Sequence, residues 1–119
     1  MRLSDEFRNR TKRFASAIVR FYAKLPQSRK EVAVLGHQLL RAGTSVAAHT
    51  REASRARSDA EFLAKIGDSL KELEETGYWL ELLVESGAVS DKKLSLLRDE
   101  TSQLTAILTS IAKKIRSRL

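Results

Sequence analysis

Residues 41–62 read RAGTSVAAHTREASRARSDAEF, and this stretch decides the fold. Ser58 is followed three residues later by Glu61 and then by Phe62 and Leu63. That is a capping box: the serine hydroxyl accepts the N–H of Glu61, and the Glu61 carboxylate is expected to reach back to the N–H of Ser58. A helix therefore starts at Ser58, and the residues before it close another one. Arg51, Arg55 and Arg57 precede the start, opposed only by Glu52. Arg51 and Arg55 lie one helical turn apart and share a face, a like-charge pairing that costs a few tenths of a kcal/mol. Two readings stand: a solvated helix end, where arginine suits the macrodipole, or a site for phosphate or another anion.

Working back, Ser28 and Glu31 repeat the S-x-x-E signature, so a second helix is expected over about residues 28–54. Val32, Leu35, Leu39, Val46 and Ala53 mark its buried stripe. Gly36, Gly43 and Ala47, with Leu40 among them, lie on an adjoining strip. Glycine inside a helix costs about 1 kcal/mol relative to alanine. Two on one strip suggest close approach by another helix, from within the chain or from a second copy. Working forward, the third helix runs over about 58–86 and ends at Gly87, a left-handed cap. Phe62, Ile66, Leu70, Leu73, Gly77, Leu80 and Val84 form its seam. Trp79, Leu82 and Leu83 widen the apolar surface, either as a broad core face or as a subunit contact.

The first helix, about 5–25, carries Phe7, Phe14, Ile18, Phe21 and Leu25 on one stripe and stops before the single proline, Pro26. Arg10, Arg13, Arg20 and Lys24 form a second stripe about 110° away, which either tracks a phosphate backbone or snorkels over the core edge. Ser90 and Asp91 cap a fourth helix, about 90–117, whose seam is Leu94, Leu97, Thr101, Leu104, Leu108, Ile111 and Ile115. It ends in Lys113, Lys114, Arg116 and Arg118, cations that favour the helix dipole or grip nucleic acid. Four helices joined by short loops give one all-α domain over residues 1–119, an antiparallel up-down-up-down four-helix bundle.

The chain has no cysteine, so disulfides and thiolate metal sites are excluded. No apolar run approaches the ~20 residues of a membrane span, and MRLSDEFRNR lacks a signal-peptide core. A cytoplasmic protein without membrane contact is expected. The formal net charge is +7. Residues 1–57 hold 13 Lys/Arg against 4 Asp/Glu, whereas residues 58–110 hold 5 against 11. Such asymmetry attracts nucleic acid, or lets copies attract each other.

Chemistry is not indicated. His37 and His49 sit twelve apart, and Val34 and Val46 stand where a Glu-x-x-His metal motif needs glutamate. Neither an HExxH nor a phosphate-binding glycine loop is present. No Ser or Thr is singled out as a nucleophile. Glu72, Glu74 and Glu75 are read as a charged face, with Glu75 able to meet an arginine of the second helix across the bundle. No metal, cofactor or enzymatic activity is expected.

Residues 39–48, LLRAGTSVAA, resemble the LLRSGTSIGAN signature of a bacterial four-helix-bundle family, first named for proteins encoded in intervening sequences of 23S rRNA genes. Residues 51–58, REASRARS, resemble its REA-x-RA-x-S segment. Phe62-Leu63-Ala64-Lys65, Lys71-Glu72 through Glu75-Thr76, and Tyr78-Trp79-Leu80-Glu81-Leu82-Leu83 are similar to its third helix. Ala42, His49 and Gly77 depart from the pattern without touching the fold. The resemblance implies a homo-oligomer, a ring of five. Its fold is similar to that of the accessory protein of diversity-generating retroelements, a basic pentameric barrel that binds nucleic acid and a reverse transcriptase.

The expected function is non-catalytic nucleic-acid binding, structured RNA favoured, through Arg10, Arg13, Arg20, Lys24, Arg41, Arg51, Arg55 and Arg57. Subunit contacts are expected at Gly36, Leu40, Gly43, Ala47, Trp79, Leu82 and Leu83. The alternative is a scaffold: an oligomer docking a partner protein such as a reverse transcriptase, with no direct nucleic-acid role.

Overall fold

Local capping sets where each helix begins. In the computed structural model, which describes residues 2–119, the Ser4 hydroxyl accepts the N–H of Phe7 at 3.1 Å and opens helix α1, Asp5–Ala23. It ends two residues earlier than expected. The N–H groups of Lys24 and Leu25 reach Phe21 O and Tyr22 O, each at 3.1 Å, tightening the last turn ahead of Pro26.

Helix α2, Lys30–Ser54, departs from its expected start. Its N-cap is Arg29, with no side-chain cap, and the Ser28–Glu31 box does not form. The Glu31 carboxylate instead accepts from Arg29 Nε at 2.8 Å. The Arg29 guanidinium thus competes for the carboxylate that the box would have used. Helix α3, Asp59–Glu85, starts as expected: Ser58 Oγ accepts the N–H of Glu61 at 3.0 Å. The return bond is shifted by one residue, because the Glu61 carboxylate accepts the N–H of Arg57 at 3.1 Å. Gly87 follows α3 with φ at +80°, its N–H on Val84 O. Helix α4, Asp91–Arg116, is capped by Ser90, which accepts from the N–H of Lys93.

The apolar stripes meet in one core. Phe14 and Ile18 of α1, Val32, Leu39 and Val46 of α2, Phe62, Ile66, Leu73 and Leu80 of α3, and Leu94, Leu104 and Leu108 of α4 are buried together. Each such side chain contributes about 1.5–3 kcal/mol of transfer free energy. Leu83 belongs to this core as well, so it is covered within the protomer.

Helix α2 lies between α1 and α3, α3 packs on α4, and α1 and α4 touch only lightly. The molecule measures 48 by 21 by 19 Å. Contacts between α1 and α2 pair Thr11 with Thr50, Ile18 with Gly43 and Tyr22 with Gly36, which also meets Leu25 just beyond α1. Those between α2 and α3 pair Glu52 with Lys65 and Arg41 with Glu75. No described helix is long and apolar enough to cross a membrane.

Gly36 and Gly43 are buried against α1 of their own chain, which corrects their expected place in a subunit contact. A Cβ on Gly43 would lie 2.8 Å from Ile18 Cγ1 and 2.9 Å from Cγ2. One on Gly36 would lie 2.8 Å from Leu25 Cδ1. Of the other expected contact residues, Leu40, Ala47, Trp79 and Leu82 are partly buried. Trp79 packs edge-on against Tyr78 at 5.1 Å between ring centres.

Candidate nucleic-acid interface

The eight basic residues expected to meet phosphate do not share one surface. Two are held by acids from distant helices. Arg10 donates through Nε to Glu100 Oε2 at 2.9 Å and through Nη2 to Glu100 Oε1 at 2.7 Å. Its Nη2 also reaches Gln103 Oε1 at 2.8 Å. The bond to Glu100 raises the Arg10 pKa, outweighing the opposing effect of burial. Arg41 donates to Glu75 at 2.8 Å and to Glu72 at 3.4 Å, the cross-bundle pairing that the α3 carboxylates suggested. Both arginines therefore tie helices together rather than standing open for phosphate.

Arg13, Arg20 and Lys24 are exposed, without ion pairs among the described residues, on the side of α1 that faces α4. They rim an apolar seam whose floor includes Phe21, Leu97 and Val89. Leu96, on the opposite rim, is 81% exposed.

Arg51 and Arg55 lie on another face, in a groove between α1 and α2. The last turn of α2 presents Arg51, and the C-cap position just after it presents Arg55. Opposite, α1 presents Arg8 and Lys12, one turn apart. The helices are locked there by the buried Thr11 and Thr50 hydroxyls, 3.1 Å apart. One hydroxyl donates to the other, and the second donates to the carbonyl of its own helix, Arg8 O or Ala47 O, each 2.9 Å away, so the buried pair is satisfied. Ala47 and Ala48 leave the groove open. Arg57 lies just beyond, exposed, in the connection to α3.

Sequence reasoning missed Arg8 and Lys12. Their signal was present: a basic i, i+4 pair on α1, matching the Arg51 and Arg55 pair on α2. Only the packing of α1 on α2 reveals that the two pairs face each other.

The electrostatics of this groove are lopsided. Lys12, Arg51 and Arg55 make no ion pair among the described residues. Arg8 pairs with the exposed Asp5, and its Nε is shielded from solvent without an acceptor. The one carboxylate in the groove, Glu52, is held by His49 Nδ1 at 3.0 Å and Lys65 Nζ at 3.3 Å. Those bonds, His49 first, keep its pKa below the ordinary carboxylate range. Among the described residues no three His, Cys, Asp or Glu side chains gather where a metal ion would sit.

A family model described as 23S rRNA-intervening sequence protein matches residues 5–110. A solved structure is also similar: a protein of unknown function from the S23 ribosomal protein family of Bacteroides thetaiotaomicron VPI-5482. It is 35% identical, with a TM-score of 0.83, over 89% of this chain and 97% of that one. No curated protein sequence matches. A family match over nearly all of the four helices, with the same bundle in a related solved structure, places this chain in the 23S rRNA-intervening sequence protein family.

Proposed function

We propose that this protein is a non-catalytic, cytoplasmic RNA-binding bundle that works as a homo-oligomer. The observation that carries the reading is the set of cations without acidic partners among the described residues: Lys12, Arg51 and Arg55 in the α1–α2 groove, and Arg13, Arg20 and Lys24 along α1. Unpaired arginines on rigid helices attract phosphate and can bind two of its oxygens at once. Few aromatic residues are interleaved with them, so backbone contacts outweigh base stacking. Binding of this kind is electrostatic, weakly selective for sequence and steeply dependent on salt. Structured RNA is favoured because charge on rigid faces suits a folded backbone.

The bundle runs up-down-up-down in this reading. As residue numbers rise along α1 they fall along the α2 partners, and the same holds from α2 to α3. Assembly is supported by the α1–α4 seam, where Leu96 and its apolar neighbours lie open. A ring of five is the assembly implied by the family resemblance, and it would multiply the basic faces.

The same seam favours a second reading, a scaffold that docks a protein partner on its apolar floor. Light scattering after size exclusion, with and without a structured RNA, separates the two at about 0.1 M and about 0.5 M salt. The RNA reading expects a multi-chain mass that takes up RNA only at low salt. An oligomer that ignores RNA at both salts overturns it in favour of the scaffold.

A further inference from the structure

The α1–α2 groove is more particular than a basic face. Arg8 and Lys12 form one wall, and Arg51 and Arg55 form the other. Its floor is small, with Ala47 and Ala48 over the buried Thr11–Thr50 hydroxyl pair. The only acid among its lining residues is already engaged by His49 and Lys65.

The cations of this groove are only partly offset while it is empty: Arg8 has the exposed Asp5, and Arg51 and Arg55 have the favourable end of the α2 dipole. Each basic pair repels along its own helix by a few tenths of a kcal/mol. Arg8 also lies in the first turn of α1, where the helix dipole disfavours a cation. An anion between the walls relieves both effects.

The number and placement of the cations indicate which anion. An internal phosphodiester carries one charge, presents two free oxygens and must leave the groove along the chain on both sides. A terminal phosphate monoester carries nearly two charges and presents three oxygens. It can also enter end-on, so that both walls reach it together. We infer that the α1–α2 groove is a seat for a terminal phosphate monoester, such as the 5′ end of an RNA. The RNA source rests on the RNA-binding reading above; the phosphate site itself rests on the groove.

The test compares one hairpin RNA carrying either a 5′-monophosphate or a 5′-hydroxyl, by fluorescence anisotropy with the full chain. The phosphorylated form is expected to bind at least about tenfold more tightly, the factor that one added charge-assisted hydrogen bond supplies. The exposed pair Lys12→Gln and Arg55→Gln, with melting curve and oligomer mass checked, should erase that ratio. Affinity for the 5′-hydroxyl RNA should fall too, but by less, because that RNA loses only general backbone attraction.

Equal affinity for the two ends overturns the inference and leaves the RNA reading standing. If neither RNA binds, the RNA reading fails, and titration with inorganic phosphate and a nucleoside 5′-monophosphate decides the groove. Saturable NMR shifts at residues 47–55, absent in the double variant, support a phosphate seat whose ligand is a small molecule. Absence of such shifts overturns the seat itself.

Discussion

Arg10 of α1 and Glu100 of α4 form a two-pronged ion pair, with both nitrogen–oxygen distances under 3 Å, across the interface where those helices touch least. Both side chains are more than two-thirds buried, so solvent screens the pair less than a surface bridge. Arg10→Ala should lower stability by about 1–2 kcal/mol, judged from paired charges of this geometry. Denaturant unfolding would measure it. RNA affinity should barely change, because this guanidinium is already held.

Arg41 makes the complementary case on α2. Its partner Glu72 is nearly buried, so Arg41→Ala leaves a carboxylate short of a hydrogen-bonding cation and should cost about 1–3 kcal/mol. Arg51→Ala removes an exposed side chain with no ion pair among the described residues and should change stability by less than about 0.5 kcal/mol. The two variants should exchange rank in RNA binding. Thermal melts and anisotropy on the same samples would show the crossover.

Replacing Arg51, Arg55 and Arg57 by Glu should flatten the salt dependence of RNA binding. Every phosphate that is no longer neutralised reduces the slope of log K against log salt by about 0.7–0.9. A weakened affinity with an unchanged slope would contradict phosphate binding at these positions.

The helical glycines should divide by what surrounds them. Gly43→Ala pushes a methyl group into the branched, fully buried Ile18 and should destabilise by about 1–3 kcal/mol. Gly36→Ala meets the flexible tip of Leu25 and should be milder. At Gly67 a Cβ meets nothing within 4 Å, so Gly67→Ala should stabilise by up to about 1 kcal/mol through helix propensity. Melting temperatures of the three variants would order them.

Acid should loosen the end of the bundle where α3 begins. Asp59 is held below the ordinary carboxylate pKa, first by its hydrogen bond from Arg2 and further by Arg118. Glu52 is lowered in the same sense by His49 and Lys65. A carboxylate with a depressed folded pKa stabilises fully above its unfolded value, about 4, and loses that contribution as pH falls through the folded value. Melting temperature should therefore be flat in this respect above about pH 5 and fall below about pH 4. Asp59→Asn with Glu52→Gln should melt lower at neutral pH and lose part of that acid sensitivity.

Much of the candidate site was legible as residue type but not as geometry. Arg51 and Arg55 stood out because they lie one turn apart before the Ser58 cap. Arg10 looked equivalent to Arg13 and Arg20 because it shares their stripe, yet Glu100, ninety residues away, occupies it. Glu75 could be matched to an arginine of the second helix because both lie on long, regular helices joined by a short connection.

The sequence by itself determined the four helices, their Ser58, Ser90 and Gly87 boundaries, and the stripes that form the core. These depend on local capping and on a 3.6-residue period written along one chain segment. Only the tertiary structure decided which cations have acidic partners and which glycines lie beneath α1. It also decided that Arg8 and Lys12 face Arg51 and Arg55. Those outcomes depend on what the neighbouring helix brings within a few ångströms, and no single helix carries that information.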